Sequence, residues 1–286
     1  TALPQYMRQA VKYDSLSCKL FFAMLYYVPN TRCLMSGTCS AGMLTKGDKN
    51  MAEIYGLLGE HLSHSYSKQI HEALADYTYD LIELSKKELK EFMTAKEFSA
   101  VNVTIPYKQQ IIPFLDDLTP EARNIGAVNC VKIDSNGAMH GYNTDVVGIR
   151  ATLSEYDLAG CKALILGTGG AAAAVQFVLE QLGMEVTSVS RTAGENRIAY
   201  DKVTDEVIAS TTLIVNATPV GMFPHTDETP ELPYHALTSK HILFDLIYNP
   251  SKTLFLKRGE QRGAIVIGGD KMFRRQAEAS WDIWNG

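Results

Sequence analysis

No apolar run in these 286 residues approaches the ~20 that a membrane-spanning helix needs. The longest, Leu20-Phe21-Phe22-Ala23-Met24-Leu25-Tyr26-Tyr27-Val28, has neither the compact basic start nor the small-x-small site of a secretory signal. A surplus of positive charge is also missing. The net charge is -5, which gives no basic field for nucleic acid. The five cysteines, Cys18, Cys33, Cys39, Cys130 and Cys161, form no CxxC or Cys/His spacing, so no metal site is expected. Their odd number and wide spread fit reduced thiols and a cytoplasmic setting better than a disulfide framework. Internal repeats and low-complexity tracts are absent as well.

What remains is an ordinary globular composition, 46% apolar and 21% charged, long enough for two domains. The first fifty residues differ from the rest, with three of the cysteines and six Lys or Arg against two Asp or Glu. They read either as an extension of unknown role or as an ordinary helical piece. Met51-Ala52-Glu53 then opens a strand over 54–59. Alternation follows, with helices over 67–75 and 86–94 and extended segments over 78–84 and 100–105. Pro106 suits the first position of a helix running through Ile111. Strands over 127–133 and 138–142 flank Asp134-Ser135-Asn136-Gly137, whose Asn-Gly is a hairpin signal. A helix over 146–153 leads to a second unit with strands at 162–166, 185–190, 213–216, 242–246 and 264–267. Alternating strands and helices predict an α/β chain with open parallel sheets.

Gly167-Thr168-Gly169-Gly170-Ala171-Ala172 follows an apolar strand and opens an Ala-rich helix. Glycine permits the tight turn and the close approach of backbone N–H groups to a pyrophosphate at a helix N-terminus. The next strand ends in Ser190-Arg191-Thr192 rather than in the acidic residue that would hold ribose hydroxyls. An arginine between hydroxyls suits a 2′-phosphate and points to NADP, with a solvated surface arginine as the alternative. Asn216-Ala217-Thr218 follows another strand and is expected at the same ligand-binding edge.

Two phrases bear on chemistry. In Val101-Asn102-Val103-Thr104-Ile105, alternation sends the apolar residues to the core and leaves Asn102 and Thr104 together to grip a polyol. Lys108 then falls in the first turn of the expected helix, where a cation opposes the helix dipole. Asp145 closes Gly141-Tyr142-Asn143-Thr144-Asp145 and reads equally as a helix cap or as a partner for Lys108. An ammonium and a carboxylate at strand ends, before a nucleotide motif, suggest proton transfer beside a hydride carrier. In His64-Ser65-Tyr66-Ser67, Ser67 reads first as a plain N-cap, although two hydroxyls so placed also hold a carboxylate. Asn129 adds an amide, and Gln276 lies on the final helix.

From about Tyr55 to the C-terminus these phrases together resemble the shikimate dehydrogenase family. His64–Ser67 is similar to its Ser-x-Ser carboxylate site and Asn102–Lys108 to its N-V-T-x-P-x-K element. Gly126–Asn129, Asn143–Asp145, Asn216–Gly221 and Asp245–Pro250 are similar to four further motifs. The resemblance implies an N-terminal substrate-binding α/β domain (51–144 with 269–286) and a Rossmann-like NADP domain (145–268), the terminal helix returning to the first. It implies reversible reduction of 3-dehydroshikimate to shikimate by NADPH, in aromatic amino-acid biosynthesis, with Lys108 and Asp145 catalytic. Ser65, Ser67, Asn102, Thr104, Asn129, Tyr248 and Gln276 would bind substrate. Gly167, Thr168, Gly169, Gly170, Ala171, Ser190, Arg191, Thr192, Asn216, Ala217 and Thr218 would bind NADP. A monomer or homodimer is expected, without nucleic acid, membrane or metal. A quinate/shikimate dehydrogenase using NAD and a non-catalytic sensor of shikimate-like ligands are the alternatives. Three departures stand out. Ser190 replaces an Asn, with Arg197 as the candidate second basic residue. The segment after Arg191 is short, so a helix and a strand are expected to be trimmed. Gly269-Asp270-Lys271-Met272-Phe273-Arg274-Arg275 replaces an apolar run before Gln276.

Overall fold

The computed structural model describes residues 54–286 apart from His64 and Asn196. The expectations for residues 1–50, for Met51–Glu53 and for His64 lie outside the described residues.

Short buried strands dictate the architecture. In the first sheet β1 (Tyr55–Gly59) pairs in parallel with β2 (Tyr79–Glu83) and β3 (Ala100–Val103). β5 (Cys130–Ile133) then runs antiparallel between β3 and β6 (Met139–Tyr142), and β4 (Asp117–Leu118) closes the order β2-β1-β3-β5-β6-β4. The hairpin forms at the expected turn. Gly137 takes φ 81, and Asp134 Oδ1 accepts from the Asn136 and Ala138 N–H groups. Helices α1 (Ser67–Leu74), α2 (Lys86–Ala95) and α3 (Pro120–Ile125) accompany this sheet.

The second sheet is wholly parallel. β7 (Lys162–Leu166), β8 (Glu185–Ser190), β9 (Arg197–Ala199), β10 (Leu213–Asn216), β11 (Ile242–Asp245) and β12 (Ile265–Ile267) stand in the order β12-β11-β10-β7-β8-β9. β10 and β11 are buried at every position, as a sheet covered on both faces requires. The chain reverses its direction of winding between β7 and β10, which is the doubly wound arrangement with its ligand crevice at that switch point. α4 (Asp145–Leu153), α5 (Gly170–Gln181), α6 (Asp205–Ser210) and α7 (Leu254–Gln261) flank it. The last helix, α8 (Asp270–Asn285), packs along α4 and returns to the first sheet, where the Lys132 ammonium donates to the Ile283 carbonyl.

Three expectations are corrected. Residues 106–111 form turns and a short 3-10 segment (Ile112–Phe114) instead of a helix. The Lys108 carbonyl accepts from the Val128 N–H at 2.7 Å, the Ile112 N–H turns to the Gln109 carbonyl instead of to Lys108, and Pro113 disfavours helix at the residue before it. The dipole argument for Lys108 falls with that helix. Ile105, expected in the core, is 62% exposed, because β3 ends at Val103. Among the described residues no helix stands between Arg191 and β9, but the strand is present as β9.

α8 seals the first sheet through an aromatic cluster. His71 stacks on Tyr79 at 4.1 Å and on Trp284 at 5.2 Å, and its Nδ1 meets the Tyr77 hydroxyl at 2.6 Å. Burial lowers the His71 pKa to about 3, against a weaker raising effect of the Asn102 hydrogen bond. The neutral ring is therefore the folded form. The stability it contributes is whole above the unfolded value of 6.5 and is lost as pH falls toward about 3. Between pH 6.5 and about 3, urea unfolding of the wild type should lose up to about 1.4 kcal/mol per pH unit more than His71→Phe. Parallel pH profiles for the two proteins would refute this account of the buried ring.

Candidate active site

β3 and β6 point the same way on either side of β5, so the segments leaving them emerge at one edge of the sheet. Lys108 follows the first and Asp145 the second. Although 37 residues apart, Lys108 Nζ donates to Asp145 Oδ2 at 2.6 Å. The two side chains are 14% and 6% exposed, so the pair is shielded yet reachable. The other carboxylate oxygen accepts from Asn129 Nδ2 at 2.8 Å. The helix-cap reading of Asp145 is therefore set aside. Thr144 is the N-cap residue, and the Asp145 carboxylate is spent on Lys108 and Asn129.

Ser65 and Ser67 come together, with their hydroxyl oxygens 3.1 Å apart and the Ser67 N–H donating to Ser65 Oγ. The N-cap reading of Ser67 is corrected, since Tyr66 holds that position and Ser67 is the first helical residue. Burial pushes the Tyr248 phenol up, opposed by its hydrogen bond with Ser65. Tyr248 thereby joins the two serines, and its ring stacks on Phe273 at 3.9 Å and lies 5.8 Å from Tyr66. Thr104 and Gln276 are half-buried, and the Gln276 amide donates to the Phe273 carbonyl.

Asn102 does not share an open face with Thr104. It is 3% exposed, donates to the Asn129 carbonyl and Ser280 Oγ, and accepts from the Tyr79 hydroxyl. Both amide protons are thus consumed inside the protein. Its place on a central strand between two paired neighbours explains this.

At the second sheet the glycine loop leaves β7 with Gly167 at φ 111, a conformation side chains rarely adopt. It lies against the Asn216–Thr218 turn, in which the Thr218 N–H and hydroxyl both donate to Asn216 Oδ1. Gly170 opens α5 against the catalytic edge. A Cβ there would sit 3.0 Å from the Lys108 Cβ and 3.2 Å from the Ala127 Cβ. Glycine thus lets the nucleotide loop touch the stem of Lys108. Among the described residues nothing lies within 4 Å of a Cβ built at Gly169, and a cavity of about 380 Å³ opens beside Gly167, Thr168, Ala172, Ser188, Glu195 and Arg197. A backbone cradle with an adjoining cation fits a dinucleotide pyrophosphate and a further phosphate. Ser190 is occupied within its own turn, bonding the Thr192 backbone, and Arg191 is exposed, so Arg197 is the arginine that lines the cavity.

Residues 57–131 match the family described as "Shikimate dehydrogenase substrate binding domain". A shikimate dehydrogenase (NADP(+)) from Desulforamulus reducens is 34% identical over 82% of this chain and 90% of its own length. One from Methanococcus maripaludis is 35% identical over 82% and 92%. The chain belongs to the shikimate dehydrogenase family. Among solved structures, the Thermus thermophilus shikimate 5-dehydrogenase in complex with NADP(H) and shikimate is 32% identical, with TM-score 0.71 over 82% of this chain and 94% of that one. The Aquifex aeolicus shikimate dehydrogenase gives 33% and 0.74 over 84% and 95%.

Two features of this family member were missed or misjudged in the sequence. Of the charges at 270–275, Lys271 pairs with Glu155 and Arg275 with Glu278 at the helix surface, and the half-buried Arg274 pairs with Asp270 one turn earlier. Phe273, in the middle of that run, supplies the apolar contact to Tyr248. The second feature is Asp245, wholly buried at the end of β11. Its Oδ1 accepts from Asn216 Nδ2 and the Ile247 N–H, and its Oδ2 from the Thr253 hydroxyl at 2.5 Å. It ties the Asn216 turn to the loop carrying Tyr248.

Burial raises the Asp245 pKa to about 6, only partly offset by those hydrogen bonds, foremost that from Thr253. Its stabilising contribution is therefore whole below the ordinary value of 3.8 and is lost as pH rises through about 6. The ionised form costs on the order of 3 kcal/mol at neutral pH. Urea unfolding should show Asp245→Asn gaining about that much relative to wild type between pH 4 and pH 7. Equal pH slopes would contradict it.

Proposed function

We propose that this chain catalyses the reversible reduction of 3-dehydroshikimate to shikimate with NADPH as hydride donor. The observation that carries the reading is the 2.6 Å contact of Lys108 with Asp145, on which the nucleotide loop rests through Gly170. A pair so placed can exchange a proton with a ring oxygen while hydride is transferred. A sensor of the same ligand would have no use for it.

In this reading residues 51–144 with the terminal helix from 269 hold the substrate, and 145–268 hold NADP. Ser65, Ser67 and the Tyr248 hydroxyl receive the ring carboxylate, a cluster of donors that needs no arginine. Thr104 and Gln276 orient ring hydroxyls. Asn129 has both amide protons engaged and offers a lone pair of Oδ1. Asn102 belongs to the supporting structure. When bound, NADPH supplies a hydride to the C3 carbonyl. Lys108 delivers the proton to the oxygen that gains charge there, and Asp145 fixes the ammonium in line. Gly167, Thr168, Gly169, Gly170 and Ala171 line the path of the pyrophosphate, Asn216, Ala217 and Thr218 flank the same crevice, and Ser190, Arg191 and Thr192 stand with Arg197 at the 2′-phosphate end. The cysteine pattern supports a cytoplasmic setting.

Lys108→Ala should lower kcat for shikimate oxidation by about 10²–10⁴-fold, the usual worth of a positioned acid–base group. NADPH affinity, followed by its fluorescence, should stay unchanged. Full turnover in that variant would remove the mechanism.

A further inference from the structure

We infer that Ser280, on the C-terminal helix, is a positioning residue for the acid–base pair, acting on Asp145 through Thr144 and Asn129. The inference rests on the roles proposed above for Lys108 and Asp145. Ser280 is fully buried, on a helix face that otherwise presents Ala277 and Trp284. A hydroxyl there is costly unless it is used.

Counting protons shows how it is used. Ser280 Oγ donates its one proton to the Gln276 carbonyl at 2.9 Å, a bond back along its own helix. Back-bonding alone would leave its lone pairs empty, and both are filled. Asn102 Nδ2 donates to it at 2.7 Å, and Thr144 Oγ1 lies 3.1 Å away. With the Ser280 proton on the Gln276 carbonyl, the Thr144 hydroxyl is the donor of that second contact, and its other acceptor within reach is Asn129 Oδ1 at 3.2 Å. Thr144 Oγ1 then has lone pairs for Asn129 Nδ2 at 3.0 Å, and the Thr144 N–H donates to Asn129 Oδ1 at 2.6 Å. The Asn129 amide is thereby fixed in one orientation. Its remaining proton falls on Asp145 Oδ1, which leaves Oδ2 turned to Lys108. The second arm, through Asn102, pins the main chain of the same residue, since Asn102 Nδ2 also donates to the Asn129 carbonyl. Both arms meet on Ser280 Oγ.

The test uses the full chain. Steady-state kinetics with shikimate and NADP across pH are paired with competitive acylation of lysines by acetic anhydride, read at Lys108 by mass spectrometry. Ser280→Ala leaves an Asn102 N–H without its acceptor and turns the Thr144 O–H to Asn129 Oδ1, 3.2 Å away. A misplacement of about 1 Å can cost on the order of 10²-fold, and a kcat loss of about tenfold or more is expected, with KM for NADP unchanged. The pH profile of kcat and that of Lys108 acylation should shift together, and Ser280→Thr, which keeps the hydroxyl, should restore both. Trp284→Phe, buried on the same helix, should lower Tm and move neither profile. A Ser280→Ala protein with lowered Tm but wild-type kcat and profiles would overturn the inference. Absence of shikimate turnover in the wild type would instead sink the proposed function, and the Lys108 acylation profile of Ser280→Ala would still decide the role of Ser280.

Discussion

The Asp145 carboxylate takes a proton donor on each oxygen, one from the segment after β3 and one from the lead into β5. A shielded ion pair of this kind is poor evidence for stability, because removing two charges from water costs as much as their attraction returns unless the spare lone pairs and protons are filled. Here each carboxylate oxygen has one donor, and the groups around the pair are held from four separate pieces of chain. The Lys108 carbonyl accepts from Val128, Asn129 is gripped by Thr144, and Thr144 meets Ser280 of the last helix. The arrangement makes sense as geometry held against a cost.

This constraint also explains the contact between the two sheets' machinery. The switch point of the second sheet brings the Gly167 loop and the Asn216 turn to one edge, but the fold alone does not dictate what that edge faces. Gly170 does, because the absent side chain admits Lys108 and Ala127 against the start of α5. A hydride donor laid along that loop is then adjacent to the proton donor without any long flexible arm. Asp245 performs the matching task on the other flank, linking the Asn216 turn to the Tyr248 loop at the expense of a buried acid.

Much of this was legible in the sequence, and for a physical reason. The strands, the glycine loop and the Asn-Gly hairpin are local features, encoded by neighbours in the chain. The pairing of Lys108 with Asp145 was reached through family resemblance and strand ends, since no spacing rule brings together residues so distant. What failed were local readings overruled by distant bonds. Pro106 and the residues after it satisfy the rules for a helix, yet the Val128 N–H comes to the Lys108 carbonyl and the Ile112 N–H turns to Gln109. Asn102 looked free to bind a polyol because alternation says which side of a strand a residue faces, not whether Tyr79 and Ser280 wait there. Ser67 carried the composition of an N-cap and stands one position too late.

Phe273 and Ser280 illustrate a subtler limit. Both sit on α8, in a stretch where charge and tryptophan dominate the eye, and neither belongs to a phrase with an obvious chemical use. Their partners, Tyr248 on one side and Thr144 with Asn102 on the other, come from both halves of the protein. A helix at the end of the chain can therefore be charged along its outer face, as this one is, without disturbing the cleft. What it must preserve is a ring against Tyr248 and one hydroxyl at the point where the supports of Asp145 converge. The tolerance for Asp270, Lys271, Arg274 and Arg275 follows from that division of the helix into an outer surface paired for solvent and an inner surface fixed atom by atom.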